Sequence, residues 1–213
     1  MKRNTKDYMI DEKMKSQLWE DPTLYNYWTL ADKRIFYLTG DSLEAEQILY
    51  LQQNILCCNL EDAGKPIEER TPIKILIYTY GGDLHATYSL ISTIESSLTP
   101  IITINMGLAM SAGMLILISG HHRYAVPRSQ ALIHKGSAGA EGTYDQMEEF
   151  QKNYKKTVDT MKAYILSRTN IDSKLFNRNK SKDWYISDSE QVNYGIVEGV
   201  IGEGISMEDI LNV

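Results

Sequence analysis

The sequence contains little cysteine: Cys57 and Cys58 are the two among 213 residues, and they are adjacent. Adjacent cysteines suit neither a structural disulfide nor a metal site, because both require partners that are separated along the chain. We interpret them as reduced thiols that contribute to packing, as in a cytoplasmic protein. The neighbouring histidines His121 and His122 precede a predicted strand and indicate a solvated turn rather than a metal-binding pair. The sequence therefore predicts no metal and no cofactor.

Long apolar runs are also lacking. No run reaches the roughly 18 residues that a membrane span requires, and residues 1–7 lack the apolar core of a signal peptide. The net charge of −6 argues against a general binder of nucleic acids or of anionic membranes. The sequence instead has 43% hydrophobic and 23% charged residues, which is typical of a globular protein with one sizeable core.

The composition divides the chain into three parts. Residues 1–33 are polar and charged with scattered aromatics, which indicates a segment that is flexible or ordered by a partner, with a short helix around residues 11–19. Residues 34–201 alternate between β-branched apolar runs and helical patterns, and this alternation predicts an α/β domain. Residues 202–213 form a C-terminal tail.

Periodicity locates the elements of the central part. Predicted strands cover residues 34–38, 72–78, 100–105, 123–126, 131–134 and 196–201. Predicted helices cover residues 42–59, 84–98, 144–168 and 188–194; Ser42 caps the first, which buries Leu49 and Leu56, and Leu98 belongs to the buried face of the second. Polar segments at residues 61–71, 136–142 and 170–187 are predicted to be irregular.

The predicted helix at residues 144–168 is long for a domain of this size. Its apolar residues recur at steps of three and four, from Tyr144 through Phe150 and Tyr154 to Ile165. We expect this helix to project and to pack on another chain, although the same pattern also fits a long core helix.

Residues 107–113 are small and lie between two buried apolar segments. They predict a tight turn that presents Ser111 where a helix begins, with peptide N–H groups behind it that are free to stabilise an oxyanion. A serine in this place is either a nucleophile or the N-cap of a core helix, and the spacing alone does not decide between them. Ala109 occupies the first glycine position of the pattern G-x-S-x-G, so that motif is not matched.

Four features now follow one another along the chain: Gly81-Gly82, Gly107-Leu-Ala-Met-Ser111, Leu132-Ile-His134 and Asp183-Trp-Tyr-Ile-Ser187. In this order, and with the long helix between the last two, they resemble the Clp protease proteolytic subunits, a family of the crotonase-like superfamily. The resemblance covers about residues 34–201. It implies an α/β fold of repeated strand–strand–helix units with a projecting long handle helix.

The resemblance implies a serine endopeptidase. Ser111 would be the nucleophile, His134 its general base and Asp183 the residue that orients the imidazole. The implied oxyanion donors are the backbone N–H groups of Gly82 and Ala112. The implied substrate-binding residues are Gly136, Ser137, Ala138 and Gly139. From the residues alone, His134 also fits a satisfied core histidine, and Asp183 fits a helix cap or an ion pair.

The resemblance also implies an assembly. The family forms heptameric rings, stacked as a tetradecamer around a chamber, to which an ATPase unfoldase feeds unfolded polypeptides. Here the positions that line the unfoldase-docking pocket read Lys74, Leu76 and Ser96 instead of aromatic residues. Trp184 stands where the family has an arginine that latches ring to ring, and Tyr80 replaces a proline before Gly81.

Three alternatives remain open. The first is a catalytically silent or regulatory subunit of a mixed ring, against which the complete set of three catalytic residue types argues. The second is an acyl-CoA enzyme of the crotonase type, which would use acidic residues and leave Ser111 dispensable. The third is a phage head-maturation protease of the same fold.

Overall fold

The computed structural model describes residues 22–136, 139–179 and 181–213, without the side chains of residues 22–24. Residues 1–21 of the predicted N-terminal segment, with the helix expected around residues 11–19, lie outside the described residues. The remaining part of that segment forms a helix, α1 (Pro22–Ala31).

One mixed sheet forms the centre of the fold. Within the described residues its strands are β1 (Ile35–Gly40), β2 (Ile73–Thr79), β3 (Ile101–Met110), β4 (His122–Ala125), β5 (Gln130–Ile133), β6 (Trp184–Ser187) and β7 (Gly199–Val200). The order β1-β2-β3-β4-β7 is parallel throughout, and β5 also pairs in parallel with β3. β6 pairs antiparallel with β5, and the two strands attach to the sheet through the pairing of β5 with β3. The predicted α/β class is confirmed.

Helices connect most of the parallel strands, as such pairing requires. They are α2 (Ala45–Glu61), α3 (Leu84–Ser96), α4 (Ala112–Ser119), α5 (Tyr144–Arg168), α6 (Ser173–Asn179), α7 (Asp188–Asn193) and α8 (Met207–Leu211), with one 3₁₀ turn at Ile67–Glu69. None of the helices in the described ranges combines the length and the hydropathy that a membrane crossing requires.

The main core lies on one face of the sheet. Alternate residues of β2, namely Ile73, Ile75 and Ile77, point into it and are fully buried beneath α2, α3 and α4. All eight residues of α4 are buried, so this helix has no solvent face. It was predicted only as a buried helix or strand, and it is a helix.

A smaller cluster covers the opposite face of the sheet. Leu76 and Ile104 pack there with Ile210 of α8. Lys74 lies on the same face at 1% exposure, and its Nζ donates a hydrogen bond to the Val213 carbonyl oxygen over 2.7 Å. Burial lowers the pKa of Lys74. Lys74 and Leu76 are therefore enclosed by this chain and do not line an open pocket.

The predicted start and buried stripe of α2 were wrong in detail. The N-cap is Glu44 rather than Ser42, and Glu44 and Gln47 form a capping box. Leu49 and Leu56 are exposed, because the buried stripe runs through Ile48, Leu51, Ile55 and Cys58 instead. Leu98 is likewise 61% exposed, since α3 ends at Ser96.

Two predicted boundaries near the C-terminal half of the domain were also wrong. Residues 170–187 are not irregular, because they contain α6 and β6. The strand expected at residues 196–201 is reduced to β7, which has two residues. For the two strands β6 and β7, pairing with the distant strands β5 and β4, rather than local pattern, decides the structure.

β3 is longer than predicted and changes partner along its length. Residues Ile102 to Asn105 pair with β4, whereas Leu108 to Met110 pair with β5. Between these parts the register with β2 shifts from Ile77↔Asn105 to Tyr78↔Leu108, which leaves a bulge at residues 106–107. The small-residue turn predicted for residues 107–113 is therefore confined to Ser111, immediately after the strand.

The long helix has the bounds that the sequence predicted, Tyr144–Arg168. Of its residues, Met161 and Ile165 are buried, whereas Tyr144 is 81% exposed. The helix is thus anchored to the core through its C-terminal half. Its packing on another chain stays a prediction.

Candidate active site

Ser111 occupies the sharp turn between β3 and α4. Its backbone has φ 53° and ψ −117°, in the left-handed half of the map that residues with a Cβ rarely adopt. By position it is the N-cap of α4, but its side chain makes no capping hydrogen bond. The hydroxyl is instead directed to His134, so the interpretation as a simple capping serine does not describe this side chain.

The β5–β6 pair brings His134 and Asp183 together. The antiparallel register places Ile133 opposite Trp184. His134 directly follows Ile133 and Asp183 directly precedes Trp184, so the same register sets these two residues opposite each other. The predicted irregular segment thus carries the strand that delivers the carboxylate.

The three predicted catalytic side chains form a continuous chain of contacts. The Oγ atom of Ser111 lies 2.7 Å from Nε2 of His134, and Nδ1 of His134 lies 3.5 Å from Oδ1 of Asp183. The first distance is that of a hydrogen bond, and the second is longer than the usual range. The side chains of His134 and Asp183 are 30% and 59% exposed, so this histidine is not a core residue.

The two predicted oxyanion donors lie on neighbouring segments. Ala112 N–H belongs to the first residue of α4, at the positive end of the helix dipole. Gly82 forms a parallel bridge with Leu43, in which Leu43 N–H donates to Gly81 and Leu43 C=O accepts from Asp83. Gly82's own N–H points away from Leu43, and within the described residues it has no acceptor.

Positions 81 and 82 each require a glycine, but for different reasons. A Cβ at Gly82 would overlap the backbone of Leu43, so the glycine permits this bridge. A Cβ at Gly81, where φ is +111°, would lie 2.8 Å from the Cβ atom of Ser111 and 3.2 Å from the backbone nitrogen of Ala112. Gly81 therefore allows its own segment to approach the serine turn closely. The sequence indicated this role for neither of the two glycines.

Hydrogen bonds of Thr79 stabilise the position of Gly81 beside the serine turn. Thr79 is fully buried, its hydroxyl donates to the Gly40 carbonyl over 2.8 Å, and it accepts the Gly81 N–H over 3.2 Å. Sequence reasoning missed this residue, because a threonine at the end of a strand has no distinctive pattern. Its position two residues before the Gly81-Gly82 turn was the available signal.

The proposed substrate-binding segment is described only in part. Gly136 and Gly139 lie in irregular structure between β5 and α5, and Ser137 and Ala138 lie outside the described residues. The hydroxyl of Tyr154 on α5 donates to the carbonyls of Lys135 and Gly136, each over 2.9 Å. The long helix thus fixes the backbone immediately after His134, and Tyr154 was predicted only as part of its apolar stripe.

The histidine and cysteine pairs noted in the sequence make their contacts elsewhere and do not contribute to this site. His121 Nδ1 accepts the Ile101 N–H over 2.9 Å, and burial lowers the pKa of His121. His122 begins β4 and faces Glu198. Cys57 is exposed and Cys58 is buried, both as free thiols, and burial raises the pKa of Cys58 to about 12. A thiol with so high a pKa is a poor nucleophile at neutral pH.

The geometry matches what acyl transfer requires. It combines a hydroxyl at a strained strand–helix turn, an imidazole within hydrogen-bonding distance, a carboxylate 3.5 Å from that imidazole and the N–H group of Ala112 directly after the serine.

Comparison with known proteins gives a consistent result. The family model described as Clp protease matches residues 23–204. The ATP-dependent Clp protease proteolytic subunit of Deinococcus radiodurans is 29% identical over 179 residues, which cover 83% of this chain and 84% of that protein. The ATP-dependent Clp protease proteolytic subunit 2 of Treponema pallidum is 30% identical over 183 residues, which cover 80% of this chain and 92% of that protein.

Proposed function

Because this chain belongs to the Clp protease family, we propose that it is a serine endopeptidase subunit acting on unfolded polypeptides. The observation that carries the proposal is the 2.7 Å contact between Ser111 Oγ and His134 Nε2. A serine hydroxyl is a weak nucleophile at neutral pH, and a hydrogen-bonded base overcomes this weakness.

In the proposed reaction Ser111 Oγ attacks the peptide carbonyl carbon while His134 Nε2 takes the hydroxyl proton. The negative charge that develops on the carbonyl oxygen is stabilised by the N–H groups of Gly82 and Ala112. Collapse of this intermediate breaks the C–N bond, and His134 returns the proton to the leaving amine. Asp183 accepts from Nδ1 of His134 and stabilises the imidazolium in both steps. Water then releases the acyl group by the same route.

The substrate is proposed to lie extended along residues 136–139. Backbone hydrogen bonds to an extended peptide favour binding without requiring a particular sequence. This mode suits a protease that degrades many different unfolded chains. No cofactor takes part in these steps.

We extend the proposal to a heptameric ring, stacked as a tetradecamer, that works in the cytoplasm with an ATPase. Relatives that are named ATP-dependent support the ATPase partner. The largely exposed N-terminal half of α5 supports contact with a second copy of the chain. The enclosed Lys74 and Leu76 argue that such an ATPase docks differently on this subunit.

A second candidate is a catalytically silent or regulatory subunit of the same ring. The 3.5 Å separation between His134 and Asp183 favours it, because the carboxylate is too distant for a strong hydrogen bond. In this case the imidazole would not be oriented for catalysis in the subunit alone.

Labelling with a fluorophosphonate, read by mass spectrometry and combined with native mass measurement, separates the two candidates. The wild type should be labelled at Ser111, and the labelling should disappear in Ser111→Ala and in His134→Ala. Ser92→Ala, which removes an exposed serine from α3, is the matched control and should be labelled normally. An assembled oligomer without label would support the silent subunit, and label on another residue would overturn the nucleophile assignment.

A further inference from the structure

A buried pair of side-chain amides lies where the elements that carry the three catalytic residues meet. Asn105 on β3 and Gln191 on α7 are both at 0% exposure. The Nδ2 group of Asn105 donates to Oε1 of Gln191 over 3.0 Å. Polar side chains buried to this degree are destabilising unless hydrogen bonds satisfy them, so their contacts have to be accounted for.

Asn105 uses both N–H donors of its amide and also its carbonyl oxygen. Besides Gln191, Nδ2 donates to the carbonyl of Gln130 at the start of β5 over 3.0 Å. Its Oδ1 accepts the N–H of Gly107 within the bulge over 3.1 Å. One side chain therefore closes the bulge of β3 and joins β3 to both β5 and α7.

Gln191 completes the connection from the other side. Its Nε2 donates to the carbonyl and the hydroxyl of Ser129, over 3.3 and 3.4 Å, directly before β5. Its backbone carbonyl accepts from Ile196 and Val197. α7 follows β6 without a break, so Gln191 links β6 to the base of β5 and, through Asn105, to β3.

The three elements joined in this way each carry one catalytic residue. β3 ends one residue before Ser111, β5 ends one residue before His134, and β6 begins one residue after Asp183. Strands are stiff over these few residues, so their relative placement at the amide pair sets the relative placement of the side chains at their ends. At the bulge, β3 changes its pairing partner from β4 to β5. The position of β3 relative to β5 is therefore set at the amide pair.

We infer that Asn105 and Gln191 are positioning residues that align Ser111, His134 and Asp183 through the strands that carry them. The inference rests on the proposed function, since alignment matters only if the three side chains act together. Neither amide contacts the catalytic side chains, so neither is a catalytic residue. Their effect should fall on the chemical step and not on substrate binding.

The test compares Gln191→Met with Gln191→Glu. Methionine matches glutamine in shape but cannot bond to Asn105, whereas a protonated glutamate keeps an acceptor for Asn105 and a donor for Ser129. A small misalignment of reacting groups costs rate steeply, up to about a hundredfold per ångström. Q191M should therefore lower kcat about tenfold with KM within about twofold, and Q191E should recover most of the loss.

Asn59→Leu is the matched control. Asn59 is a partly buried asparagine whose amide bonds to Ser97 and Thr99, away from the catalytic elements. N59L should lower the melting temperature without changing kcat at a temperature where all variants are folded. Should Q191M fail to fold, Asn105→Ser, which leaves room for a bridging water, supports the same comparison.

A spectroscopic readout tests alignment without turnover. The NMR signals of the His134 ring, assigned with His134→Gln, report the contacts of Nε2 with Ser111 and of Nδ1 with Asp183, and this signal set should shift in Q191M. A Q191M protein with wild-type kcat and an unchanged signal overturns the inference, as does a loss of kcat no larger than in N59L. If the wild type shows neither labelling nor turnover, the proposed function is contradicted instead. The NMR comparison of the wild type with Q191M then still tests whether Gln191 positions the His134 ring.

Discussion

The close approach of Gly81 to the serine turn leads to a quantitative prediction. In Gly81→Ala the new Cβ would start 2.8 Å from the Cβ atom of Ser111, whereas ordinary contacts begin at 3.4 Å. The two segments must therefore separate by about 0.6 Å, and α4 cannot yield easily because all its residues are buried. With about a hundredfold loss of rate per ångström of misplacement, kcat should fall roughly ten- to thirtyfold.

Backbone strain has to be separated from this displacement. Gly81 has φ +111°, where an alanine costs about 1–3 kcal/mol of stability irrespective of its neighbours. Gly202 has φ +99° and nothing within 4 Å of an added Cβ. Gly202→Ala should therefore show the loss of stability without the loss of rate.

The assay measures peptide hydrolysis and the fluorophosphonate labelling rate of both alanine variants, together with their thermal unfolding. We expect a lower melting temperature for both variants, with the larger decrease in G81A because it adds the steric clash to the backbone strain, and slower hydrolysis and labelling for G81A alone. If G81A reacts as fast as G202A, the contact between Gly81 and Ser111 does not position the nucleophile, and the argument from steric crowding is wrong.

Three further predictions follow from other contacts. Asp183→Asn should lower kcat by up to about 10⁴-fold and leave the melting temperature unchanged, because the side chain is 59% exposed; an unchanged rate would remove Asp183 from the mechanism. Tyr154→Phe loses the hydroxyl that holds the carbonyls of Lys135 and Gly136, so KM for peptides should rise about threefold or more. Tyr144→Phe, at an 81% exposed position, is its control, and equal KM values would contradict the positioning role. Burial alone would raise the pKa of Asp62, but hydrogen bonds from Arg34 and Lys65 outweigh it and lower the pKa from 3.8 to about 2. The resulting stabilisation, about 2 kcal/mol, is present above pH 3.8 and lost as the pH falls towards 2. Denaturant titrations of wild type and Asp62→Asn should therefore converge at low pH, and parallel curves would exclude this contribution.

Local patterns in the sequence were sufficient for the elements whose burial is periodic. The bounds of α5, the strand around Ile75 and the start of the strand around Ile102 were predicted closely, because apolar spacing and β-branched runs are local signals. Motif resemblance supplied Ser111, His134 and Asp183 as candidates, and the structure brings these three side chains together.

Features that depend on pairing with distant segments were not predictable. β6 lies in a polar stretch and exists as a strand because it pairs with β5, so the opposition of His134 and Asp183 could not be read from its sequence. The extension of β3 to Met110 likewise depends on β5. The link between Asn105 and Gln191 spans 86 residues of sequence, and no periodic pattern marks either amide.

The uneven anchoring of α5 has a consequence for dynamics. Its C-terminal half is fixed by Met161 and Ile165, whereas its first turns have no buried residue, so the helix should open from its N-terminal end. Amide hydrogens near Tyr144 should then exchange with solvent long before those near Ile165. Because Tyr154 lies between these regions and holds the chain after His134, the order of the proposed substrate-binding segment depends on how far that opening extends. Anything that covers the first turns of α5 would suppress the opening and thereby tighten the binding segment from a distance.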